Sequence, residues 1–329
     1  MKIAINDLRE KIIKVLSKNI TKEDCESVAD YLIYAEASGI KTQGIIKMTG
    51  SSPIQNIIAD YPIKLEKDTP VSALIDGGKN LAIVVADKAV KIAAKKAKES
   101  GIAIVGARNT FSSNGSQSYY VEQLAKQDLV GIMMSRSPGS VAPFNSIDPL
   151  FGTNPIGYAF PTNDEPIVFD AATSAITYLG VMLAKAHNEE LPVGVAIGKY
   201  GQPTTDPTEV MDDGALNPFG NSHKAAGFGM LVELLTGPFI NGAYLDYKTY
   251  DKEWGTTIIA IDPNILTDIN KLKTACSDFV TEVRNSRTRE NEKIYFPNDK
   301  AKSNYNESIK NGFIEIDEVI YKQAFSDVN

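Results

Sequence analysis

Cysteine and histidine are nearly absent from this chain of 329 residues, which holds two of each. Cys25 and Cys276 lie far apart, so neither a disulfide framework nor a C-x-x-C redox or metal site is available. His187 and His223 are too few for a histidine-rich centre, and no metal is expected. No stretch approaches the ~18 consecutive apolar residues of a membrane span. The opening Met1-Lys2-Ile3-Ala4-Ile5-Asn6-Asp7 leads directly into an amphipathic pattern, without the apolar core of a signal peptide. A basic excess is missing too. Against 34 Lys and Arg stand 41 Asp and Glu, a net charge of −7, which gives no electrostatic reason to bind nucleic acid or an anionic membrane. These absences predict a soluble protein of a reducing compartment, the cytoplasm, whose partner is a small molecule.

Several chemical signatures are also lacking. No G-x-G-x-x-G joins an early strand to a helix, as a Rossmann domain requires; residues 102–105 run instead into Gly106-Ala107-Arg108-Asn109-Thr110. There is no P-loop and no G-x-S-x-G elbow. What the chain does have is ordinary globular composition, 43% hydrophobic and 23% charged, at a length that suits two domains.

The pattern along the chain predicts helices at both ends and alternating elements between. Asn6 is placed to cap a helix carrying Leu8, Ile12, Val15 and Leu16. Thr21 with Asp24 reads as a capping box for a second helix, closed by Gly39. Strands are expected at 71–75, 102–105, 130–134, 156–160, 167–169, 256–261 and 313–316. Helices are expected from an Asn80 cap to 99, then at 118–126, 175–189, 225–235 and 269–283, with a hairpin turn at 199–202. Residues 295–312 read as a polar, turn-rich segment. This is an α/β or α+β chain: a sheet domain over residues 71–265, and a helical domain made from residues 1–70 together with 266–329.

Three stretches carry chemistry. Phe151-Gly152-Thr153-Asn154-Pro155 opens a strand with small residues. Pro166-Ile167-Val168-Phe169-Asp170-Ala171-Ala172-Thr173-Ser174 is an apolar strand ending in a carboxylate and hydroxyls, where a ligand can approach the backbone. Asn221-Ser222-His223-Lys224 starts a helix with a cation beside free N–H groups, a physically sound phosphate cradle. Taken singly, each has a plainer reading: such an Asp often caps a helix, and such a Lys is often only solvated.

In order and spacing, these stretches resemble the malate/L-lactate dehydrogenase family of the non-Rossmann type. The shared motifs are residues 150–155, 166–174, Gln202-Pro203-Thr204-Thr205-Asp206-Pro207 and 221–230, with Ser137-Pro138-Gly139-Ser140 and Tyr119-Tyr120 also matching. The resemblance implies a non-Rossmann nicotinamide-binding sheet domain, a helical domain from both termini, and a homodimer with its active site near the subunit interface. It implies an oxidoreductase that uses NAD or NADP on a small 2-oxo, 2-hydroxy or imino acid. Cofactor contacts carry over onto Ser137, Asp170, Ala171, Ala172, Thr173, Ser174, His223 and Lys224, and onto a late loop at Asn298, Asp299 and Lys300.

The chain departs from its relatives where they carry catalytic residues. Their Ser-His-Gly followed by Arg stands here as Thr42, Gln43, Gly44 and Lys47; their second histidine motif has become Asn109-Thr110-Phe111-Ser112-Ser113-Asn114-Gly115. Histidine suits proton transfer because its pKa of ~6.5 lies near working pH. Glutamine can only hydrogen-bond, and lysine keeps charge but loses the bidentate fork of arginine. Gln43, Lys47 and Tyr119 are therefore the catalytic candidates. Three outcomes stay open: an oxidoreductase whose proton passes through another group such as Lys47, Tyr119 or water; an imine reductase, whose substrate brings its own proton; and an inactive nucleotide-binding relative.

Overall fold

The structure is a computed structural model that describes residues 1–49, 53–57, 61–245, 253–290 and 292–326. The parts of the expected domain segments at 50–52, 58–60, 246–252, 291 and 327–329 lie outside the described residues.

The chain begins with strand β1 (Lys2–Ala4) and helices α1 (Ile5–Leu16) and α2 (Lys22–Ala37). The expected apolar face of α1, Leu8, Ile12, Val15 and Leu16, is buried. Its cap position is Ala4 rather than Asn6. Thr21 caps α2 as its sequence suggests, accepting the Asp24 N–H at 3.2 Å while its hydroxyl donates to Asp24 Oδ2 at 2.8 Å. Gly39, at φ +74°, turns the chain into two short 3-10 turns, Lys41–Gln43 and Ile45–Met48.

The centre is a seven-stranded sheet. Its strands are β2 (Lys64–Thr69), β3 (Ser72–Asp76), β4 (Ile102–Thr110), β5 (Val130–Arg136), β6 (Ile156–Phe160) and β7 (Ile167–Ala171). Helix α3 (Ala82–Ser100) links β3 to β4, and α4 (Gln117–Ala125) links β4 to β5. Beyond β7 come α5 (Tyr178–His187), β8 (Ala196–Ile197), α6 (Pro207–Asp212), β9 (Ala215–Leu216) and α7 (His223–Thr236). Then β10 (Trp254–Ile261) enters the middle of the large sheet, giving the order β2-β3-β4-β10-β5-β6-β7. Only β3 and β4 run parallel, joined by the helical crossover α3; every other neighbour is antiparallel. This mixed α/β sheet is not the parallel, doubly wound Rossmann sheet, in agreement with the missing glycine fingerprint.

The chain ends with α8 (Ile269–Arg284), α9 (Asp299–Asn311), β11 (Phe313–Glu315) and α10 (Glu318–Ala324). Strand β11 pairs antiparallel with β1 and so brings both chain ends together. One hydrophobic cluster runs from Leu8, Ile12 and Leu32 of the terminal helices through Ile83 of α3 to Val105 and Ile258 of the sheet. A smaller one gathers Val141, Phe151, Val181, Val210 and Leu216 beneath α5 and α6.

Three elements depart from expectation. Strand β2, Lys-Leu-Glu-Lys-Asp-Thr, is exposed along its whole length; as a polar edge strand it has no alternation to read. Residues 299–311, expected to be turns, form α9, a polar helix without a buried residue. Asn80 does not cap α3: its amide donates to the carbonyls of Gly77 (2.8 Å) and Tyr61 (2.7 Å), and Leu81 takes the cap position. Among the described residues no helix is long and apolar enough to cross a membrane.

Candidate active site

The site is built on the loop from Phe111 to Ser116, between β4 and α4. Asn114 pins this loop to the sheet, its amide donating to Ser135 Oγ at 2.8 Å and to Thr256 Oγ1 at 3.2 Å. Its carbonyl accepts the Tyr120 hydroxyl at 2.8 Å. Ser112 and Gly115 take left-handed backbone conformations, φ +67° and +90°. At Gly115 a side chain would collide with the buried Tyr31 ring, whose hydroxyl accepts the Ser116 N–H at 2.7 Å. A glycine is needed there for both reasons.

Lys47, from the second 3-10 turn, reaches this loop: its ammonium donates to the Ser113 carbonyl at 3.5 Å. No carboxylate pairs with it among the described residues. Burial without a counter-ion lowers its pKa from 10.5 to about 8. Two buried polar atoms on the segments that Lys47 links, Gln43 Oε1 and Ser112 Oγ, lack a hydrogen-bond partner among the described residues. Such atoms are costly unless something polar meets them.

Asp170, at the end of β7, reaches the other side of the same loop. Its Oδ2 accepts the Ser116 hydroxyl at 2.5 Å and the Ser118 N–H at 3.1 Å. The plainer reading of this carboxylate is therefore realised, since it stands at the N-terminus of α4 and favours the helix dipole. Burial nevertheless raises its pKa, against the lowering pull of the bonds from Ser116 and Ser118. Lys47 and Asp170 thus hold the same loop from two sides.

The remaining cofactor candidates gather on the next strands. The Ser137 hydroxyl accepts the Thr153 N–H at 3.1 Å, and Thr173 donates from Oγ1 to the carbonyls of Thr153 (3.3 Å) and Asn154 (3.1 Å). The Thr173 carbonyl accepts the Phe219 N–H, and Ala175 N–H donates to Asn217, so Ala171, Ala172, Thr173 and Ser174 lead directly to the segment before α7. Asn154 donates to the Gly229 carbonyl (3.1 Å) and to Glu233 Oε2 (2.9 Å), which ties α7 down; Glu233 in turn pairs with Arg136 at 3.0 Å, both side chains buried. At the start of α7, Ser222 accepts the Ala225 N–H, while His223 and Lys224 stand exposed with their N–H groups unpaired among the described residues. His223 packs edge-on to Phe144 with centroids 6.1 Å apart.

Two groups are not brought to these clusters. Asn298, Asp299 and Lys300 do not form a loop; they start α9, where Asp299 pairs with Arg284 at 2.6 Å and Lys300 is exposed. Less than a turn further, Lys302 pairs with Glu165, just before β7, whereas Asp170 lies at that strand's far end. Within one chain they flank opposite ends of β7. Tyr119 packs its ring against Tyr31, Tyr34 and Tyr120 and lines a cleft of about 260 Å³ with Asp30, Glu122 and Tyr305. Burial, helped by Asp87 and Asp30, raises its pKa, and no hydrogen bond joins it to Gln43, Lys47 or Ser113 among the described residues.

Ser112 and Ser113 lie in the stretch that replaces the relatives' second histidine motif, whereas Ser116 was not singled out by sequence. Its signal was available in the small-residue run between the apolar β4 and the tyrosine pair.

The family described as Malate/L-lactate dehydrogenase matches residues 3–324 of the chain. The malate/(S)-sulfolactate dehydrogenase of Methanothermus fervidus is 32% identical over 98% of this chain and 96% of its own length. The ureidoglycolate dehydrogenase (NAD(+)) of Escherichia coli K12 is 29% identical over 99% and 96%. Among solved structures, the delta1-piperideine-2-carboxylate reductase of Pseudomonas syringae pvar. tomato superposes with a TM-score of 0.85 at 26% identity, covering 99% of both chains.

Proposed function

Since the chain belongs to the malate/L-lactate dehydrogenase family and is an NAD(P)-dependent dehydrogenase or reductase, we propose that it interconverts a small 2-oxo acid and its 2-hydroxy acid, with Lys47 handling the proton in place of the family histidines. One observation carries this reading: a half-buried lysine with no carboxylate partner among the described residues bonds the Ser113 carbonyl of the loop that Asp170 also holds through Ser116.

The residues present fit a nicotinamide dinucleotide. The start of α7 offers two free N–H groups, the cation of Lys224 and the imidazole of His223 to a pyrophosphate. Ser137 and the run Asp170, Ala171, Ala172, Thr173 and Ser174 would hold the rest; Asn298, Asp299 and Lys300, at the other end of β7 within one chain, would serve only from a second copy. When bound, the nicotinamide supplies or accepts the hydride at C2. Lys47 Nζ, with its pKa near 8, is mostly protonated at pH 7. It can give that proton to the C2 oxygen in reduction and take it back in oxidation, work of the kind that contributes roughly 10²–10⁴-fold. Its charge also draws the substrate carboxylate. Asp170, held by Ser116 and Ser118, fixes the loop that carries Ser113 and closes the site towards the cofactor side.

The preference between NAD and NADP rests on relatives: the name of the E. coli enzyme states NAD(+), and NAD is our reading. A second substrate class is favoured by Gln43. Its Oε1 is a buried acceptor lacking a donor, which a protonated imine N–H supplies and a ketone does not.

We further propose a homodimer. Helix α7 exposes Phe228, Met230, Leu231 and Leu234, an apolar surface of the kind that marks an interface. A second copy would also bring an α9 start to a site that one chain leaves at the other end of β7. The sheet core at 71–265 and the helical layer at 1–70 with 266–329 are proposed as its two domains, with the correction that β2 (Lys64–Thr69) joins the sheet because it pairs with β3. Both cysteines are free, which suits the cytoplasm.

The test is oxidation of NADH and NADPH against a panel of 2-oxo acids and cyclic imines across pH. The reading predicts turnover of at least one 2-oxo acid with a limb near pH 8. Turnover of imines alone selects the second reading, and no turnover with tight nucleotide binding leaves an inactive relative. Gln43→His raises 2-oxo acid turnover if the loop geometry is intact.

A further inference from the structure

Glu36 is a charged residue placed where α2 should be apolar. It lies in the last turn of that helix, and only 4% of it is exposed. A carboxylate is buried at such cost only when its oxygens are well met. Here each oxygen is engaged by the active-site loop itself. Oε1 accepts the Ile45 N–H at 2.8 Å, the first N–H of the 3-10 turn that carries Lys47. Oε2 accepts the Lys41 ammonium at 2.8 Å, from the turn that carries Gln43. Lys41 also donates to the carbonyls of Glu36 (3.2 Å) and of Glu315 in β11, fastening the same loop to the paired chain ends.

Between these two turns lies Gly44. A Cβ on it would stand 2.6 Å from Glu36 Cδ and 2.9 Å from Cγ, inside the carboxylate's own volume. The glycine and the carboxylate therefore form one fitted unit. Gly44 O then accepts the Lys47 N–H at 3.0 Å, so the fitted turn sets the backbone of Lys47 directly.

We propose that Glu36 is the positioning residue of the active site, holding the Gly44 turn so that Gln43 on one side and Lys47 on the other face the Ser112–Ser113 loop. Glu36 itself touches no reacting atom. This assignment rests on the role given to Lys47 above, but its test has a readout independent of turnover.

The test compares Glu36→Gln and Lys41→Ala with the unmodified protein. Glutamine keeps the shape of Glu36 but presents a donor to Lys41, and Lys41 is half exposed, so its loss spares the fold even if Glu36→Gln does not fold. Acetic anhydride labelling of Lys47, followed by mass spectrometry across pH 6–11, reads the local environment of that amine without any substrate. NADH affinity is measured by quenching of Trp254 fluorescence, and kcat and KM with the best substrate of the panel. In Glu36→Gln the Lys47 labelling profile is expected to shift by about one pH unit. NADH affinity stays within about threefold, and kcat falls about 10- to 100-fold, the effect of misplacing a reacting group by around an ångström. Lys41→Ala moves all these in the same direction by less.

If both variants lower only the melting temperature, with the Lys47 profile and kcat unchanged, Glu36 is merely an anchor between α2 and β11 and the proposal is overturned. If the Lys47 profile shifts in both variants while Lys47→Met leaves turnover intact, Glu36 positions the loop and it is the catalytic reading of Lys47 that fails.

Discussion

Replacing Lys47 by methionine should stabilise the protein while removing its activity. The reasoning starts from the lysine value of 10.5 in the unfolded chain and about 8 in the folded one. At 1.36 kcal/mol per pH unit, keeping this ammonium charged in its buried place costs the fold about 3 kcal/mol. Below pH 8 both states carry the proton and the cost is complete. Between pH 8 and 10.5 the unfolded chain binds more protons than the folded one, so stability rises with pH as the cost is withdrawn. Above 10.5 both are neutral and nothing is left of it. Methionine has a similar length and no charge, so Lys47→Met should be more stable by about 3 kcal/mol at pH 7, shrinking towards zero near pH 10.5. Turnover should drop by roughly 10²–10⁴-fold if Lys47 carries the proton. Urea unfolding followed at pH 7, 8, 9 and 10, beside a turnover assay, measures both. A variant that is less stable at pH 7, or whose difference from the parent is flat across this range, refutes the buried, unpaired ammonium and with it the proton role.

Other consequences can be checked separately. Lys224→Ala should weaken NADH binding by about 3- to 10-fold, the effect of one charge-assisted phosphate contact; equal quenching curves for Trp254 would remove Lys224 from the cradle. Glu233→Ala removes the buried carboxylate that accepts from both Arg136 and Asn154, while Arg136 keeps its bond to the Glu253 carbonyl and Asn154 its bond to Gly229, so it should cost about 1–3 kcal/mol in unfolding experiments; a loss below ~0.5 kcal/mol would contradict the network's burial. Leu231→Asp on the exposed face of α7 should yield a monomer in sedimentation velocity if that face joins two copies, whereas an unchanged species distribution would place the interface elsewhere.

How much of this was legible in the sequence varied with the physics. Buried elements announced themselves: the apolar faces of α1 and α2 and the strand expected at 167–169, which runs to Ala171, follow from periodicity. Strand β2 and helix α9 did not, because neither buries a residue and so neither leaves a hydrophobic period. At the site, the motifs pointed to Asp170, Thr173 and Lys224, but not to what each touches. That Asp170 serves the start of α4 depends on a fold contact spanning 52 residues, Ser118 N–H to Oδ2. Glu36 was invisible for the same reason: a glutamate in a helix reads as solvated until the Gly44 turn is seen to close over it. The late segment at Asn298–Lys300 shows the opposite failure, where a motif position was matched but local helix formation and the Arg284 pair were not foreseen.

The most direct test of the whole account is a crystal structure of the protein grown with NADH and oxamate, an unreactive mimic of a 2-oxo acid. The account predicts density for the dinucleotide along Asp170–Ser174 with its phosphates at the start of α7, and an oxamate carboxylate or amide oxygen within hydrogen-bonding reach of Lys47 Nζ. Dinucleotide density elsewhere, or oxamate bound away from Lys47 and Gln43, would contradict it.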